Sequence, residues 1–205
     1  MTLPARKMGG GGRAPIALHD RAMDDLRFIR ETMERSGSFT HVSGSGGIAM
    51  GVVALLAALL ARETVSAVGW IGVWLGAATV SFGLAGGLMA RKSRSAGVSL
   101  LTGPGRKFMW SMIPALMAGG ILTLALSTTG AVHLLPGVWL LLYGTAVITG
   151  GSHSVRPVPL MGLAFMVLGT AALFSPPGWR DGFMALGFGG LHIVFGAVIW
   201  RKYGG

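Results

Sequence analysis

The chain has 205 residues, of which 17 are Lys or Arg and only 7 are Asp or Glu, giving a formal charge of +10. Apolar residues make up 52% and charged residues 12%, the latter about half the share of a soluble domain, which excludes a disordered chain. Cys is absent, which excludes a disulfide scaffold, a thiol enzyme and a cysteine zinc site, and the 35 glycines follow no collagen-like period, leaving a polytopic all-α membrane protein.

Residues 1–46 form the expected N-terminal segment. Met1–Pro15, with Gly9–Gly12 in a row, reads as a tail without structure. Asp20–Arg35 reads as an amphipathic helix with Asp20 as its cap and Gly37 as its stop. Ala22, Leu26, Ile29 and Met33 recur at spacings of four, three and four, which puts them on one face. Sixteen residues are marginal as a lone helix in water, so this stripe needs a partner. The helix carries four basic and five acidic residues, which weakens attraction to anionic lipid and favours a protein, or another copy of the chain, as the partner.

Residues 47–205 hold six uncharged stretches that could cross a hydrocarbon core, which takes about 20 helical residues. They are Gly47–Ala61, Val65–Ala90, Phe108–Leu126, Ala131–Gly150, Pro157–Ser175 and Gly182–Trp200, with Gly130 breaking the 48 uncharged residues from Phe108 to Val155. They lack the alternating polarity of barrel strands, and in lipid such runs satisfy their backbones only as helices. Three helical hairpins are expected. Gly72-Val73-Trp74-Leu75 recurs as Gly137-Val138-Trp139-Leu140, and Ala49-Met50-Gly51-Val52 is echoed by Leu160-Met161-Gly162-Leu163, consistent with duplication. Pro114 falls inside the third crossing, while Pro136, Pro157 and Pro159 fall near helix starts.

Small residues let membrane helices approach closely. Gly72 and Gly76, and Gly83 and Gly87, have the four-residue spacing of such contacts on the second crossing, either within one bundle or at a seam between two copies. Fifteen of the seventeen basic residues fall on one side if both termini are cytoplasmic; only Arg62 and Arg180, each beside an acid, fall outside. This bias predicts a multi-pass protein of the bacterial inner membrane. Trp70 and Trp179 are then expected at the outer interface, Trp110 and Trp200 at the inner one.

No Asp or Glu falls within a crossing, which argues against proton-coupled transport and carboxylate di-iron chemistry. No His-Glu-x-x-His motif is present, and no metal site is predicted. His192 is the single titratable group deep in a crossing. A neutral imidazole there could ligate a haem or chlorophyll metal, with Gly187, Gly189 and Gly190 making room, or bond Tyr143 or Thr145 across helices. The basic cluster Arg91-Lys92-Ser93-Arg94 and Thr102–Lys107 lacks phosphate-loop spacing and is explained by topology; without an aromatic platform it does not indicate nucleic-acid binding.

The run Leu26–Thr40, the stretches Thr102–Lys107 and Gly137–Gly151, and Gly189-Gly190-Leu191-His192-Ile193-Val194-Phe195-Gly196 together resemble a signature of uncharacterised bacterial six-helix membrane proteins. The hairpin organisation is more loosely similar to small acid-resistance-type six-helix proteins. The resemblance implies the architecture and brings no activity or ligand. The expected role is a non-enzymatic accessory, scaffold or sensor subunit docking a protein through the N-terminal helix. The alternatives are a cofactor subunit using His192 and a small-solute channel or transporter.

Overall fold

Two serines start the first apolar helices. The Ser43 hydroxyl accepts from the Gly46 N–H at 3.1 Å and the Ser66 hydroxyl from the Gly69 N–H at 3.0 Å, each satisfying a donor that the first helical turn would leave orphaned. In a computed structural model, which describes residues 14–36, 42–97, 99 and 103–204, the chain is helical throughout, with no strand among the described residues. It divides into two units, Met1–Gly37 and Ser38–Gly205.

The first unit holds α1, Ala14–Ser36. The helix begins six residues earlier than Asp20, because Pro15 sits in its first turn, where a missing N–H costs nothing. Asp20 is therefore interior and not a cap. The remainder of the expected tail, residues 1–13, and the expected stop at Gly37 lie outside the described residues. Ala22, Leu26, Ile29 and Met33 are exposed, the last three by 61%, 52% and 68%.

The second unit holds α2 (Gly44–Arg62), α3 (Ala67–Ser95), α4 (Gly103–Thr128), α5 (Leu135–Gly151, preceded by a 3-10 turn), α6 (Pro157–Leu173), α7 (Arg180–Met184) and α8 (His192–Tyr203). Gly130, at φ +75°, makes the expected break between α4 and α5. The last crossing is not one regular helix: Ala185–Leu191 joins α7 to α8 as a π-helical segment. Five spans are long and apolar enough to cross a membrane: Gly44–Arg62, Ala67–Ser95, Gly105–Thr128, Val132–Gly151 and Pro177–Tyr203. The sixth apolar helix, α6, is shorter at 17 residues.

The neighbours differ from three simple hairpins. α2 packs on α3 and α4 on α5, as expected, but α6 lies chiefly along α5, and α8 with the π segment lies chiefly along α2. Glycines decide this. A Cβ on Gly144 or on Gly162 would lie 2.7 Å from the carbonyl oxygen of the other, and Gly137 and Gly169 oppose each other at 3.0 Å in the same way. Between α2 and the last span, a Cβ on Gly44 would lie 2.7 Å from the Gly196 oxygen, and one on Gly51 would lie 2.7 Å from the Gly189 oxygen. In all four helices the two glycines are seven residues apart, a period that keeps one face against a neighbour. Backbones meet there without side chains between them, the close approach that small residues allow in lipid.

Gly72, Gly76, Gly83 and Gly87 are not part of these contacts. Nothing lies within 4 Å of a Cβ placed on any of them, so they do not pack helices within the chain. α3 packs chiefly on α2, and the face carrying these glycines is turned from it.

Lys92, near the C-terminus of α3, ties the ends of three segments. Its ammonium donates to the carbonyls of Val42 at 3.1 Å, Tyr203 at 2.8 Å and Gly204 at 2.7 Å, using all three donors. The last two are at the C-terminus of α8, where a cation also suits the helix dipole. Lys92→Met is expected to cost about 1 kcal/mol, since two of the three bonds are solvent-screened. The check is limited proteolysis, which should release the C-terminal residues from the variant several-fold faster.

Candidate functional site

His192 opens α8 at the end of the π segment and is 3% exposed. Its Nδ1 lies 2.9 Å from the Phe188 carbonyl oxygen, which can only accept, so Nδ1 carries the proton. Nε2 is then a lone pair, and it accepts from the Tyr143 hydroxyl at 2.8 Å. Phe165 and Phe188 complete the enclosure. Tyr143 meets their rings edge-on at 4.9 and 5.2 Å between centroids, and Phe165 meets the imidazole at 5.3 Å. A neutral imidazole with both nitrogens satisfied locks α5 to α8. Of the two expected uses of His192, this is the interhelical bond to Tyr143.

The surroundings do not fit a macrocycle. The Nε2 lone pair that would meet a metal is taken by Tyr143. Two of the three glycines expected to clear space are filled instead: a Cβ on Gly187 would strike Leu140, and one on Gly189 would lie 2.5 Å from Leu55. His133 is exposed at the other end of α5, and His153 bonds its neighbour Ser152.

A second polar constellation lies at the N-terminal end of α3. Trp70 is fully buried within the protein, and its Nε1–H donates to Asp181 at 2.7 Å. Arg180 lies over the same indole at 5.1 Å from the ring centroid and 3.6 Å from the Asp181 carboxylate. Trp139 stacks on Trp70 at 5.4 Å, and its own N–H donates to Thr123 at 2.8 Å. Trp179, Trp110 and Trp200 are exposed. Asp181→Ala is expected to cost about 1–3 kcal/mol because it strands the buried Trp70 N–H. Asp181→Asn, which keeps an acceptor, should recover most of that loss in a thermal melt.

Between these constellations lies a cleft of about 270 Å³. α3 and α4 form its sides, and Trp139, Tyr143, Phe188 and His192 contribute to its floor. Both Trp residues of the repeated Gly-Val-Trp-Leu sequence line it: Trp74 from α3 and Trp139 from α5. The repeat was the available signal for these positions. Nothing in the sequence marks Thr123 as the partner of Trp139 or Asp181 as the partner of Trp70, since both pairings join separate helices. No protein-family model matches the chain, and no curated protein or solved structure matches it either.

Proposed function

We propose that the protein is a non-enzymatic integral membrane protein with six crossings, an accessory, scaffold or sensor subunit whose α1 docks a protein partner. The exposed stripe of Ala22, Leu26, Ile29 and Met33 carries this reading. An apolar face on a charge-balanced helix suits a protein surface better than anionic lipid. Five spans have membrane-crossing length, and 17 residues bring α6 to the short end of the range for a sixth. The Lys/Arg bias favours the bacterial inner membrane with both termini cytoplasmic. The test is affinity isolation from native membranes with the full chain, a chain lacking residues 1–40, and Leu26→Glu. A partner recovered with the full chain alone supports docking; the same proteins recovered in all three samples overturn it.

A further inference from the structure

α3 packs chiefly against α2 and α4 chiefly against α5, and the two do not run along one another. The cleft lies between their unpacked sides and so faces sideways, toward the bilayer. Its volume of about 270 Å³ is roughly twice that of an apolar cavity that accepts a benzene ring. Its walls are mostly hydrocarbon, among them Leu75, Ala78, Leu116 and Leu142.

Two polar side chains of α3 interrupt that lining. Trp74 and Ser81 are 4% and 7% exposed and seven residues apart, on one face of the helix. The Trp74 indole N–H has no hydrogen-bond partner among the described residues. Leaving such a donor unpaired costs about 1–3 kcal/mol, and Trp70 and Trp139 both avoid that cost. Trp74 is the exception: its ring lines the cleft, as that of Trp139 does, but its N–H is buried without a partner among the described residues.

Depth identifies the acceptor. The Asp181 carboxylate bonded to Trp70 belongs in the headgroup layer, which is about 5–8 Å thick on each side of the hydrocarbon. Trp74 lies four residues further along α3, about 6 Å deeper. That is the inner edge of the layer, where ester carbonyls join phospholipid chains. From there the cleft continues along α3 to Phe82, about 12 Å into the hydrocarbon.

We propose that the cleft binds one acyl chain of a membrane phospholipid, which enters between α3 and α4, and that the Trp74 indole N–H donates to its ester carbonyl. The chain fills the apolar volume and the carbonyl satisfies the donor. This rests on the membrane placement proposed above and is independent of α1 docking.

The full chain is reconstituted in phosphatidylethanolamine–phosphatidylglycerol vesicles. These are doped with a phosphatidylethanolamine bearing a diazirine midway along one acyl chain, irradiated, and mapped by peptide mass spectrometry. Adducts are expected at Ala78 and Leu116 in the cleft, as well as at Val80 and Leu124, which are 53% and 70% exposed on the outer faces of the same helices. Gly119→Phe fills the cleft and should lower the cleft adducts about tenfold while leaving the outer ones unchanged. Should that variant fail to fold, Ala78→Phe serves in its place, read at Leu116. Trp74→Phe keeps a ring but removes the donor, and should lower cleft adducts about fivefold. Outer adducts without cleft adducts overturn the lipid site. So do cleft adducts that persist in the filled variant, and unchanged labelling in Trp74→Phe overturns the ester contact. Absence of adducts on both faces overturns the membrane placement, and the site with it.

Discussion

Gly162→Ala is expected to lower the stability of the transmembrane unit by about 2 kcal/mol or more, within the range for overpacking. The added methyl would lie 2.7 Å from the Gly144 oxygen and 2.8 Å from the Ile148 nitrogen. Both are backbone atoms, so no side chain can turn aside and the helices themselves must separate. Gly162→Val should abolish recovery of a monodisperse protein. Gly76→Ala is the matched control. It has open space around it, and relief of glycine's backbone entropy should make it neutral or stabilising by about 0.5–1 kcal/mol. Thermal unfolding in detergent, followed by size exclusion, separates the two outcomes. Equal losses in both variants would show that α5 and α6 do not meet at this glycine pair.

Tyr143→Phe is expected to cost about 1–3 kcal/mol, because the His192 Nε2 lone pair would be left buried without a donor. His192→Ala should cost more, since it adds a cavity among Phe165, Phe188 and Tyr143 to the lost bonds at both ends of the imidazole. The double variant His192→Leu with Tyr143→Phe replaces both polar groups by apolar ones and should recover much of the loss. Unfolding midpoints of Tyr143→Phe, His192→Leu and the double variant measure the coupling. If the single Tyr143→Phe change is silent, the bond across α5 and α8 does not form.

Length and patterning made the apolar helices legible, because a run that must satisfy its own backbone in lipid has one solution. Gly130 marked its turn because only a residue without a side chain sits easily at positive φ. The partners of the helices were harder to read. Four-residue glycine spacing pointed to Gly72, Gly76, Gly83 and Gly87, while the contacts formed at seven-residue spacing on α2, α5, α6 and the last span. Spacing states that a face is smooth, but not which neighbour lies on it. His192 was conspicuous as a lone ionisable group in apolar sequence, and Tyr143 stood among its possible bonds. The bond of Trp70 to Asp181 spans 111 positions and leaves no local trace in the sequence. Lys92 likewise reads as one more basic residue at a helix end until the carbonyls of Val42, Tyr203 and Gly204 converge on it.

The glycine pairs also distribute stiffness. α5 with α6, and α2 with the last span, are joined backbone to backbone, and sliding either pair would drive main-chain atoms into one another. α3 and α4 meet looser approaches: a Cβ on Gly46 would lie 3.4 Å from the Ala85 Cα, and one on Gly150 would lie 3.2 Å from the Phe108 oxygen. Trp70 and Lys92 fix α3 near its two ends, so opening is confined to the middle of the gap between α3 and α4, and thermal breathing should widen it there.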